Sequence, residues 1–127
     1  ALALDADNAL VLNNYAYYLA LLNKDLDEAL IMAERAVSLR PNNASYIDTY
    51  AWVLHRMGRN VEAKKYMRQA LSLCSQRDAN LLMHYGDILW ALGEEFMADT
   101  YWQKAVAEGY DAEEMAEHIL EIKSNKR

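Results

Sequence analysis

Cysteine, proline and glycine are scarce in this sequence, which contains one cysteine, one proline and four glycines. The single cysteine, Cys74, excludes a disulfide framework or a cysteine-based metal site within one chain. With so few prolines and glycines, the chain lacks the residues that the many tight turns of an all-β fold need. The scarcity of these residues therefore favours a fold made mainly of helices.

Basic runs and long apolar runs are also missing. The net charge is −6 and no long basic run occurs, so we expect neither nucleic acid nor an anionic membrane surface as a partner. No apolar stretch reaches the length of about 18 residues that direct membrane insertion needs. The N-terminus lacks both a starting methionine and the layout of a signal peptide, which suggests a fragment or a processed product. The compartment stays open between cytoplasm and periplasm.

The residues that are abundant are typical of a globular helical domain. Hydrophobic residues make up 54% of the chain and charged residues 25%, a composition that supports a packed core. Alanine, leucine, glutamate and lysine are common, and all four favour helix. The length of 127 residues fits one domain.

A pattern of small and large residues recurs three times. Ala29, Ala63 and Ala98 hold equivalent places, separated by steps of 34 and 35 residues. Apolar residues around them follow the i, i+3, i+4, i+7 spacing of one helix face. Two short amphipathic helices can bury such faces only against each other and against the next pair. The predicted core of the first helices is Leu12, Tyr15, Ala16, Leu19; Ile47, Tyr50, Ala51, Leu54; and Leu82, Tyr85, Gly86, Leu89.

The predicted turns within each helix pair contain suitable residues. Gly58 and Gly93 lie four positions after the last apolar residue of their first helices, and Asn23 holds the same place in the first block. Glycine and asparagine are the residues that most readily adopt the left-handed conformation that ends helices. One extra residue within 24–26 predicts a slightly longer turn in the first block.

The period of 34 residues and the segments DLDEALIMAERAVSLRPN and GRNVEAKKYMRQALSL resemble tetratricopeptide repeats, with Pro41 where that family usually has its proline. The resemblance covers about residues 1–110. It implies an all-α fold: a right-handed α-α superhelix of three helix-turn-helix repeats plus a C-terminal capping helix. Within this single domain we expect the end of a preceding repeat at 1–8, repeats at 9–43, 44–78 and 79–110, and the capping helix and tail at 111–127.

The two ends lead to different expectations. Because residues 1–8 match 36–43, the chain is interpreted as the C-terminal fragment of a longer array. The first helix would then lack its upstream neighbour, so Val11 and Tyr18 should be exposed and this edge could self-associate.

At the other end Asp111 and Glu114 resemble a capping box. This capping box would begin a helix that is interpreted as a solvating cap, or alternatively as a detachable helix that occupies a binding surface. The predicted apolar stripe of the helix is Ala112, Met115, Ala116, Ile119 and Leu120.

The resemblance also implies a concave groove lined by the first helices. Tyr17, Trp52 and Trp90 lie off the core stripes and are large aromatic residues of the kind that anchor interfaces. Trp52 and Arg56 could together grip a peptide side chain and a carboxylate. The alternative is that Trp52 and Trp90 pack between repeats. The polar residues, among them His84, are expected to be solvated; the predicted groove residues are Asn13, Tyr17, Asp48, Trp52, His55, Arg56, Met83, Asp87 and Trp90.

These patterns predict a scaffold that binds a protein or peptide in its groove. The alternative is a structural segment that mediates oligomerisation or supports an upstream domain. Docking of a chaperone C-terminal tail is not expected, because Asp48 and Asp87 would repel its carboxylates. No catalytic motif is recognisable and the three histidines fall on separate predicted helices, so we expect neither an enzyme nor a bound cofactor or metal.

Overall fold

The computed structural model describes residues 8–125, and this part of the chain contains seven α-helices and no strand. The fold is therefore an all-α helical-repeat solenoid, as the sequence predicts. The predicted preceding repeat falls almost wholly on residues 1–7, outside the described part. The helices are α1 (Ala9–Leu22), α2 (Leu26–Leu39), α3 (Ala44–Arg56), α4 (Asn60–Leu73), α5 (Ala79–Ala91), α6 (Glu95–Ala107) and α7 (Ala112–Ser124).

Polar caps start four of these helices. The side chains of Asn8, Asn43, Asp78 and Asp111 accept hydrogen bonds from backbone N–H groups in the first turns of α1, α3, α5 and α7. Each cap satisfies donors that have no partner inside the helix. The predicted cap at Asp111 is confirmed by the bond from the Glu114 backbone nitrogen at 2.9 Å.

The turns within the helix pairs depend on left-handed residues. Gly58 and Gly93 have φ angles of 81° and 83°, and Asn23 has a φ of 52°, which confirms the three predicted turns. Asp25, just before α2, is also left-handed, with a φ of 49°. This second left-handed residue accounts for the longer first turn.

Small and large side chains interlock inside the solenoid. Ala51, Ala63, Ala70 and Ala98 are fully buried, and Trp102 fills space beside Gly86. A Cβ atom on Gly86 would overlap the Trp102 indole. Close packing of this kind leaves no room for even one added methyl group.

Helix α7 covers the end of the array with a narrower apolar face than predicted. Met115 is buried, and Ile119 and Ile122 pack half-buried against the core of the preceding hairpins. Leu120 is 73% exposed, and Ala112 and Ala116 are also exposed, so the predicted places of these three residues in the buried stripe are wrong. The buried face follows residues 115, 119 and 122 because α7 meets its neighbours along one side only.

Candidate functional site

A polar cleft of about 450 Å³ lies along the first helices of the three hairpins. Helices α1, α3 and α5 supply most of its walls, and Tyr110, between α6 and α7, closes one side. The first helices adjoin one another in the array, so equivalent faces line one surface. The lining residues are Asn13, Asn14, Tyr17, Ser45, Asp48, Thr49, Asp78, Asn80, Leu81, Met83, His84 and Tyr110.

A buried pair joins α3 and α5 at the floor of this cleft. His84 Nδ1 donates to Asp48 Oδ1 at 2.8 Å, and both side chains are largely buried. Burial lowers the pKa of His84, but the Asp48 carboxylate and its hydrogen bond raise it, and the net shift is upward. The expectation that these two residues are solvated is wrong, because each is the buried partner of the other.

Asn13, on α1, is a further buried polar residue of this cleft. Its side chain lines the cleft but is only 8% exposed. Within residues 8–125, its Oδ1 accepts no hydrogen bond. An unpaired buried carbonyl oxygen costs about 1–3 kcal/mol, so a donor brought to it would be stabilising.

Trp52 packs between two histidines instead of facing the groove. Its ring stacks on His84 at 4.1 Å between centroids and lies 4.8 Å from the ring of His55. It is 9% exposed, which corresponds to the inter-repeat packing that the sequence left open. Arg56 Nε donates to the carbonyl of Ala20 at 3.2 Å and so links α3 to α1.

Asp87 is a buried acceptor shared by two other helices. Its Oδ1 accepts from Trp102 Nε1 at 2.9 Å, and His118 Nε2 lies 2.7 Å from Oδ1 and 2.9 Å from Oδ2. Asp87 is 2% exposed, so its predicted solvation is wrong as well. The hydrogen bond to Asp87 raises the pKa of His118 more than burial lowers it.

The predicted groove residues thus separate into two groups. Asn13, Tyr17, Asp48 and Met83 line the cleft. The remaining five lie outside its lining: Trp52, His55, Arg56, Asp87 and Trp90 make contacts between or within hairpins.

Some of the lining was missed by sequence reasoning. Asp78 and Tyr110 belong to the ends of connections and not to helix faces, so helical spacing did not indicate them. Asp78 could have been found as the residue that begins α5, because an N-cap lies at the same level as the first helical turn.

The predicted edge residues lie on the outer side of α1. Tyr18 is 57% exposed and Val11 is also exposed, and Leu22 continues the same row. Their spacing of seven and four residues puts the three side chains on one helix face. Self-association through this edge stays a prediction.

Residues 8–125 contain neither a candidate metal site nor a candidate membrane-spanning helix. No group of three or more histidine, cysteine, aspartate or glutamate side chains there is arranged to hold a metal ion. None of the described helices is both long enough and apolar enough to cross a membrane.

Comparison with known proteins gives matches at the level of repeat and fold. A tetratricopeptide repeat family model matches residues 44–77. No curated protein matches the chain in sequence. The first TPR domain of human RPAP3 superposes with a TM-score of 0.78 at 18% identity, over 94% of this chain and 93% of that one.

Two further structures show the same arrangement. The first TPR of Spaghetti (RPAP3), bound to the HSP90 peptide SRMEEVD, has a TM-score of 0.78 and 18% identity over 95% of this chain and 97% of that chain. PilF of Pseudomonas aeruginosa has a TM-score of 0.69 and 25% identity, over 87% of this chain and 50% of that one. The chain therefore spans about half of that protein. Residues 44–77 are a tetratricopeptide repeat, in a chain whose described helices have the fold of tetratricopeptide repeat domains.

Proposed function

We propose that this chain is a protein-interaction module that holds a segment of a partner protein in the cleft formed by α1, α3 and α5. The observation that supports the proposal is the cleft itself, which is continuous across three hairpins and lined by polar and aromatic side chains. Concave sites with a few well-placed polar groups are where ligands usually bind. One structural neighbour is bound to a peptide, which is consistent with this use of the fold.

The cleft does not suit an acidic chaperone tail such as SRMEEVD. None of its lining residues is a lysine or an arginine, so no permanent cation is present to meet carboxylates. Asp48 opposes such a tail as expected from the sequence, but Asp87 has no part in this because it is buried against Trp102 and His118.

Selection from a phage-displayed random peptide library tests the proposal. Peptides enriched on the wild-type chain should lose binding to the double variant Tyr17→Ala/Met83→Ala, which removes two side chains from the lining. The control is Phe96→Ala/Met97→Ala, which removes one aromatic side chain and one methionine from exposed positions outside the cleft. Circular dichroism melting checks that both variants fold. Peptides that bind both variants equally well, or no enrichment at all, would overturn the proposal.

A second candidate function is structural, and the exposed row on α1 favours it. Val11, Tyr18 and Leu22 are apolar residues exposed on one helix face. A face of this kind is typical of a surface that meets another polypeptide. The segment would then extend a solenoid or mediate oligomerisation without a peptide ligand of its own. The oligomeric state tests this candidate.

No enzymatic activity is proposed. Each aspartate–histidine pair joins two helices; Asp48, His84 and Asp87 are largely buried and His118 is partly exposed. The hydrogen bonds of both pairs are therefore explained by packing between neighbouring helices.

A further inference from the structure

The cleft has an uncompensated negative charge. Asp48 and Asp78 both line it, and His84 is the one lining side chain that can become positive at ordinary pH. With His84 protonated the lining still has one net negative charge, and with His84 neutral it has two. Asp48 on α3 and Asp78 at the start of α5 thus bring two carboxylates to one cleft.

Each carboxylate has an oxygen left for a ligand. Asp48 accepts from His84 through Oδ1, and Asp78 accepts from the backbone nitrogens of Asn80 and Leu81, also through Oδ1. Within residues 8–125, the hydrogen bonds to these two side chains use no other oxygen. A carboxylate can accept at two oxygens, so both groups have spare capacity for donors.

Asn13 adds an acceptor that points independently to a donor ligand. Its amide lines the same cleft, is nine-tenths buried and has an Oδ1 without a partner among the described residues. The covered oxygen can turn toward the cleft by rotation about χ2, a broad torsion for asparagine. Three acceptors with unused capacity thus line one site that contains no lysine or arginine.

We infer that the cleft selects a basic segment, in which a lysine or arginine side chain of the partner lies against Asp48 and Asp78 and donates to the Asn13 amide. The cation supplies several hydrogens and no acceptor, which matches the groups available. Tyr17 and Tyr110 offer ring surface to the aliphatic stem of such a side chain. The net charge of −6 would also attract a basic segment from a distance. This inference rests on the proposed function.

The experiment uses the random peptide library and synthetic copies of the peptides it enriches. Peptides whose binding depends on Tyr17 and Met83 should be enriched in lysine and arginine. Acetylation of the lysine removes its charge and should weaken binding about tenfold or more, measured by fluorescence anisotropy. The double variant Asp48→Asn/Asp78→Asn removes both negative charges and should cause a similar loss of affinity. It should keep the fold, because asparagine retains an acceptor for His84 and still caps α5.

The control is Asp27→Asn/Asp99→Asn, which removes the same total charge from exposed sites on α2 and α6. It should change affinity less than about twofold at moderate salt, because distant exposed charges are screened. Cleft-dependent peptides that are acidic or apolar would overturn the inference and leave the proposed function standing. Basic peptides that bind both aspartate variants equally well would also overturn it. If no enriched peptide depends on Tyr17 and Met83, the proposed function fails and the inference fails with it.

Discussion

Trp102 donates its indole N–H to the Asp87 carboxylate at 2.9 Å, while the same ring occupies the space beside Gly86 where any other residue would place a Cβ atom. The position of Trp102 therefore requires a glycine at position 86 and a hydrogen-bond acceptor at position 87 of α5. The contact joins the two helices of the third hairpin and brings Asp87 within reach of α7.

We expect Gly86→Ala to destabilise the chain despite the higher helix propensity of alanine. The added methyl group overlaps the indole, and overpacking of this kind typically costs about 1–3 kcal/mol. Urea unfolding of the single variant measures the cost. In the double variant Gly86→Ala/Trp102→Phe the second change should cost less than it does alone, because the smaller ring relieves the overlap. Strict additivity would show that the contact is not the cause.

Replacement of Asp87 should loosen α7 before the rest of the solenoid. Asp87→Asn leaves one oxygen for two donors and removes the charge that faces His118, at an expected cost of about 1–3 kcal/mol. Amide hydrogen exchange should become faster in α7 while α1 is unchanged. Asp99→Asn is the control, since that residue meets Lys123 at an exposed site and should change stability by less than about 0.5 kcal/mol. Equal protection of α7 in both variants would contradict the prediction.

The pair of His118 and Asp87 predicts a pH dependence of known sign. The hydrogen bond to Asp87 raises the pKa of His118 above its ordinary value of 6.5. A raised pKa means that the folded state holds the proton more tightly than the unfolded state. The stabilisation is complete below about pH 6.5 and is lost as the pH rises through the raised value.

Urea unfolding from pH 5.5 to 8.5 measures this effect on wild type and on His118→Gln. Glutamine can still donate to Asp87 but does not titrate, so the variant should lose the part of the pH dependence that belongs to His118. We expect the difference between the two chains to shrink by about 1 kcal/mol as the pH rises, as for other partly exposed pairs. His55 and His84 are present in both chains, so most of their contribution to the pH dependence is common to both. A difference that grows with pH would reverse the assigned sign.

The exposed face of α1 predicts association between copies of the chain. Tyr18→Glu/Leu22→Glu should convert an oligomer to a monomer in sedimentation velocity, because charges on both partners would repel. The control is Val61→Glu/Phe96→Glu, which puts the same charges on two exposed apolar residues of α4 and α6. A wild-type chain that is monomeric at its highest soluble concentration would rule out association through this edge.

The fold was largely predictable because its determinants are local or periodic. Gly58, Gly93 and Asn23 indicate their turns by residue type alone, and the alanine positions repeat at a fixed spacing. The buried pairs were not predictable in this way. Asp48 and His84 are separated by 36 residues, and Asp87 and His118 by 31, so they meet only when neighbouring helices stack.

The error at Asp48, His84 and Asp87 has a physical cause. Polar side chains off the core stripe are solvated on an isolated helix, and helical spacing describes only one helix at a time. In the array, α3 lies between α1 and α5, and α5 between α3 and α7, which removes water from these positions and leaves the polar groups to pair with one another. The spacing of about one repeat between Asp48 and His84 was the available signal.

The buried polar pairs also specify the order of the hairpins. Asp48 on α3 pairs with His84 on α5, and Asp87 on α5 pairs with His118 on α7. If the second and third hairpins exchanged places, at least one carboxylate would be enclosed without its donor, at a cost comparable to breaking a buried ion pair. The apolar template is common to the three hairpins, so these polar contacts distinguish the second hairpin, the third hairpin and α7 from one another.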